Sequence, residues 1–77
     1  MEIEIDHDLD ACGLACPLPL LKAKLALNKL NSGQVLSVVC TDSGSVKDFQ
    51  VFSQQSGHQL LDSKEESGKF YYWLRKS

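Results

Sequence analysis

Three cysteines, at positions 12, 16 and 40, are the side chains of this sequence best suited to covalent chemistry. Cys16 stands apart because of its C-terminal neighbours: the run is Cys16-Pro17-Leu18-Pro19, then an apolar, helix-like segment from Leu20 to Leu30. Proline fits the first turn of a helix, where its missing N–H would have had no intrahelical partner. The stretch predicts a helix starting at Pro17, with Cys16 at the N-cap and its sulfur facing the positive end of the helix dipole. Pro17 and Pro19 carry no N–H, so Leu18 and Leu20 are the first-turn donors left for a sulfur anion or a group bound to it. A helix N-terminus can bring a thiol pKa from about 8.5 down to roughly 3.5–7.5. The thiolate so formed is a nucleophile, and donors that hold S⁻ can also hold the terminal sulfur of a persulfide. The competing reading is a buried, inert cysteine, with the prolines acting only as helix punctuation.

The elements that must position this stretch are read from periodicity. Glu2 to Leu9 alternates weakly, with Ile3, Ile5 and Leu9 on one side, and predicts a short strand ending near His7 or Asp8. Asp10 to Ala15 is then the connector, with Gly13 suited to a tight turn. Asp10 either orients the Cys16 loop or only satisfies turn amides. In the helix, Leu20, Ala23, Ala26, Leu27 and Leu30 form one apolar stripe. Leu21 and Leu25 fall on another side, either as the margin of that stripe or as a small docking surface beside the cysteine. Asn31-Ser32-Gly33 stops the helix. Gln34–Cys40 is a nearly all-apolar, β-branched central strand, and Cys40 at its end reads as buried packing.

Asp42 or Ser43 caps a second helix that carries Val46, Phe49 and Phe52 or Ser53 and ends at Gly57. His58–Asp62 reads as a third strand, Glu65–Gly68 as a hairpin loop and Lys69–Lys76 as a fourth strand. In the fourth, Phe70, Tyr72 and Leu74 are assigned to the core, which leaves Tyr71 and Trp73 on the open face. The order is β-α-β-α-β-β: an α+β, two-layer sandwich with a mixed four-stranded sheet and two helices on one face.

Composition narrows the functional class. The 77 residues make one domain, spanning 1–77, with a small core. Eight Lys+Arg against ten Asp+Glu give a net charge of −2, which argues against a direct nucleic-acid surface. The acidic start lacks the apolar segment of a signal peptide, and no apolar run approaches a membrane span. Three cysteines cannot all pair within the chain, which favours free thiols in a reducing, cytoplasmic setting. Cys12, Cys16, Cys40, His7 and His58 match no zinc spacing, and no metal or other cofactor is expected. A Cys–His hydrolase would need a base and an oxyanion site that nothing else nominates.

The residues Asp10-x-x-Gly13-Leu14-x-Cys16-Pro17-x-Pro19, with Gly33-x-x-Leu36, Thr41-Asp42, Gly57-His58 and Tyr72-x-Leu74-Arg75-Lys76, resemble the signature of the TusA/SirA-like family of small sulfur carriers. The resemblance covers almost the whole chain. It implies a sandwich similar to the C-terminal domain of translation initiation factor 3. It further implies that Cys16 accepts a sulfane sulfur as a persulfide from a cysteine desulfurase or rhodanese-like donor. The sulfur would pass to an acceptor protein in tRNA thiolation, cofactor assembly or sulfur metabolism. Asp10, Gly13, Pro17, Leu18, Pro19 and Leu20 are the motif residues around Cys16. Cys12 is not part of the family's core motif. It is either a variable loop residue or a thiol able to resolve oxidised Cys16 as a disulfide, which would suit a redox regulatory or interaction module without sulfur turnover.

Overall fold

The computed structural model describes residues 4–15 and 17–77. Its six elements, in chain order, are β1 (His7–Ala11), α1 (Leu18–Asn28), β2 (Val35–Cys40), α2 (Ser45–Ser56), β3 (Gln59–Glu66) and β4 (Lys69–Arg75). The sheet runs β1-β2-β4-β3, with β1 and β2 parallel and the other two pairings antiparallel. The α+β, β-α-β-α-β-β sandwich read from the sequence is thus the observed architecture.

One face of the sheet makes the core. Leu36, Val38 and Cys40 of β2 and Phe70, Tyr72 and Leu74 of β4 point to the same side, as the two-residue repeat of a strand requires. Against them lie Ala23 and Leu27 of α1 and Phe49 of α2, all fully buried. Leu20, Ala26 and Leu30 of the expected helical stripe pack at the margin of this cluster. The Phe49 and Tyr72 rings stack at 4.3 Å between centroids. Tyr71 and Trp73 stack on each other on the opposite face, half-buried.

Two strands differ from their sequence expectation. β1 begins at His7, where the Glu2–Leu9 alternation placed its end, and it continues through Ala11. The core decides: Ala11 is fully buried and Leu9 packs against the cluster, whereas Ile5 is 44% exposed. Glu2 and Ile3 lie outside the described residues. β3 continues to Glu66, so Glu65 and Glu66, expected in the hairpin loop, are strand. The hairpin needs only Ser67 and Gly68, both with positive φ (52° and 78°), the pairing that matches the twist of the flanking strands. β3 is an edge strand, exposed along most of its length, so its polar sequence carries little strand signal.

Candidate functional site

Because β1 and β2 are parallel and in register, Ala11 opposite Cys40, both strands end at one edge of the sheet. The connectors into α1 and α2 leave from that edge, and both helices start there. This is the side of an open α/β sheet on which loops gather into sites. Gly13, at φ +81°, turns the first connector back, and Leu14 N–H donates to the Ala11 carbonyl at 3.4 Å. Gly13 N–H donates to Thr41 Oγ1 at 3.0 Å, which ties the first connector to the second. Thr41 is a positioning residue that sequence reasoning did not single out for the site. Its place directly after a parallel strand adjacent to β1 was the available signal.

Cys16 itself lies outside the described residues, so its expected N-cap position and exposure are not described. Its neighbours are. The helix starts one residue later than expected: Pro17, at φ −99° and ψ 17°, holds the N-cap position, and Leu18 is the first helical residue. Leu18 N–H donates to the Ala15 carbonyl at 2.9 Å, and Leu21 N–H to the Pro17 carbonyl at 3.1 Å. Leu18 is therefore not a spare donor for sulfur, because a turn from Ala15 already uses its N–H.

Pro19 is fully buried, whereas Pro17 is exposed. The second proline anchors the first turn in the core, and the first leads the chain in from the surface. On the outer side of α1, Leu18, Leu21 and Leu25 are 46%, 48% and 63% exposed. Positions three and seven apart line one helical face, so these leucines form an apolar stripe running away from the Cys16 connector. Of the two readings of Leu21 and Leu25, such exposure fits a surface open to a partner.

Asp10 serves the first connector. Its Oδ1 accepts Cys12 N–H at 2.9 Å, an Asx-type turn contact. That bond, with a further hydrogen bond from the Cys12 side chain, holds the Asp10 carboxyl below its ordinary pKa. The same side-chain hydrogen bond pushes the Cys12 thiol up, with desolvation adding to it. Asp10→Asn keeps an oxygen for the Cys12 N–H and removes the charge. In a Cys16→Ser background, it should raise the rate of Cys12 alkylation by iodoacetamide several-fold near neutral pH. An unchanged rate would show that Asp10 does not control this thiol.

Cys40 is fully buried, as expected, and donates to Ser45 Oγ at 3.1 Å. Ser45 Oγ also bonds Tyr72 OH at 2.7 Å. Burial pushes the Cys40 thiol up, which favours the neutral form. His58 sits at the far end of α2, where its Nδ1 accepts the Ser77 N–H at 3.0 Å.

Comparison with known proteins gives consistent matches. The family model described as sulfurtransferase TusA matches residues 7–76. The sulfur carrier protein TusA of Allochromatium vinosum is 57% identical over 74 residues, covering 96% of this chain and 97% of that protein. A putative sulfur carrier protein of Bacillus subtilis, YrkI, is 44% identical, covering 92% and 95%. The crystal structure of a SirA-like protein from Desulfitobacterium hafniense superposes with a TM-score of 0.79 at 27% identity, covering 90% and 95%.

Proposed function

This chain belongs to the sulfurtransferase TusA family and is a sulfur carrier, and we propose that Cys16 is the residue that carries the sulfur. The reaction is thiol–persulfide exchange. The Cys16 thiolate attacks the terminal sulfur of a donor's cysteine persulfide, the S–S bond of the donor breaks, and its cysteine leaves as a thiolate. Cys16 then holds the sulfane sulfur as a persulfide until an acceptor thiolate repeats the step. No net oxidation occurs, because each S–S bond formed replaces one broken.

The observation that carries this reading is the start of α1 beside position 16. The turn from Ala15, the exposed Pro17 and the buried Pro19 fix a helix N-terminus next to the cysteine. The N-terminal partial charge of the helix favours an anionic sulfur there. Of the two donors read from the sequence, this reading keeps only Leu20 N–H, because Leu18 N–H is used by the Ala15 carbonyl.

A cysteine desulfurase or rhodanese-like protein would load the carrier and an acceptor protein would unload it, within the cytoplasm. No helix among the described residues is long and apolar enough to cross a membrane. The Cys12/Cys16 redox module is the weaker reading, because Asp10 pushes the Cys12 thiol up, which lowers its thiolate fraction and slows its attack. Incubation with a cysteine desulfurase and cysteine should add about 32 Da, removable by reductant and located by fragmentation to the peptide containing Cys16. A Cys12–Cys16 disulfide formed in place of any persulfide would overturn the assignment.

A further inference from the structure

We propose that the groove between β1 and the outer flank of α1 binds an extended acidic segment of a partner protein as an added strand. β1 is an edge of the sheet, with β2 on one side and no described strand on the other. An edge strand presents unpaired N–H and C=O groups that an extended peptide can pair with. Beside this edge lies a groove of about 420 Å³, floored by Leu9 and Leu30 and walled by Leu25 of α1. Leu25 is 63% exposed, the largest value among the exposed large apolar side chains of the described residues. The opposite edge, β3, instead carries charge along its length, including the Lys64–Glu66 pair at 2.9 Å.

Charge selects the occupant. Lys22 and Lys29 line the groove on either side of Leu25, seven residues and about 10.5 Å apart along one helical face. Among the described residues neither lysine has an ion-pair partner. Asp6, at the end of the groove, has its Oδ2 occupied by Val35 N–H at 2.8 Å. A strand carrying an acidic residue, then an apolar one, then an acidic one at alternate positions presents all three on one face over about 13 Å. That spacing puts the apolar side chain against Leu25 and Leu9 and brings each carboxylate within reach of a lysine. The groove runs from Lys22 toward the far end of α1, so such a segment would lie along the flank of the helix that begins at the Cys16 connector. Its binding needs no sulfur on Cys16, so a failure here is separable from a failure of the persulfide assignment.

The test is titration of the ¹⁵N-labelled full chain with the synthetic heptapeptide Thr-Glu-Thr-Val-Thr-Glu-Thr, which puts both glutamates and the valine on one strand face. Saturable amide shifts confined to β1 and to α1 around Leu25 are expected. Replacing alternate peptide N–H groups by N-methyl should weaken binding at least about tenfold, because strand pairing is lost. A Lys22→Glu/Lys29→Glu variant should lose the acidic peptide and gain its counterpart with lysine in place of each glutamate. The proposal is overturned by no binding up to about 1 mM peptide, by equal binding of the N-methylated peptide, or by shifts centred away from β1. Protein-concentration-dependent shifts at β1 without peptide would overturn it in favour of a second copy of the chain.

Discussion

Cys16→Ser should reduce sulfur uptake from a cysteine desulfurase to background while Cys12→Ser leaves it largely intact. Serine keeps the size of the side chain but supplies no thiolate at neutral pH, so it forms no persulfide. The fold should not register the change. The described bonds that start α1 run from Leu18 N–H to the Ala15 carbonyl and from Leu21 N–H to the Pro17 carbonyl, and Pro19 anchors the turn by burial. None of these uses the side chain of residue 16. Cys12 differs because Asp10 pushes its thiol up, which lowers its thiolate fraction. The measurement is the mass of each variant after loading, with circular dichroism to confirm the fold. Sulfur retained by Cys16→Ser, or lost by Cys12→Ser, would place the carrier atom elsewhere.

The second large effect is on stability. Phe49→Ala should destabilise the protein by about 3–5 kcal/mol, read as a lower urea midpoint with a similar slope. Phe49 is fully buried, is the main large side chain that α2 sends into the core, and stacks on Tyr72 at 4.3 Å. The loss combines the transfer energy of the ring with a cavity between α2 and β4 that rigid strands cannot close. A chain this short holds only a few kcal/mol in its core, so the variant should be largely unfolded at about 37 °C. A change below about 1 kcal/mol would mean that α2 contributes little to holding the sheet. Tyr72→Phe is the companion: it keeps the stack and removes only the hydroxyl that bonds Ser45, with an expected cost of about 1 kcal/mol.

Much of the fold was legible because its core residues repeat at clean periods. Alternation in β4 placed Phe70, Tyr72 and Leu74 inward, and the helical stripe of α1 placed Ala23 and Leu27 against them. The β1 register was not legible, because Glu2–Leu9 alternates more regularly than the segment that is buried. Only the tertiary site for Ala11 beside Cys40 decides between the two registers. β3 was cut short because an exposed edge strand needs no apolar alternation. Around the site, local chemistry correctly located a helix start near Pro17. The Leu18–Ala15 turn shifted that start by one residue, since proline at position 17 is equally at home just before a helix. The Gly13–Thr41 bond joins residues 28 apart in the chain and has no local signature.

The closed triad of Cys40, Ser45 and Tyr72 bears on cargo number. A thiol kept neutral and shut away from solvent is neither labelled by reactive sulfur species nor able to draw sulfur inward from the loop. With Cys40 excluded and Cys16 proposed as the carrier atom, one loading site per chain is expected. A preparation should saturate at one transferable atom per polypeptide, and throughput in the cell should scale with the number of copies of the carrier rather than with its cysteine content.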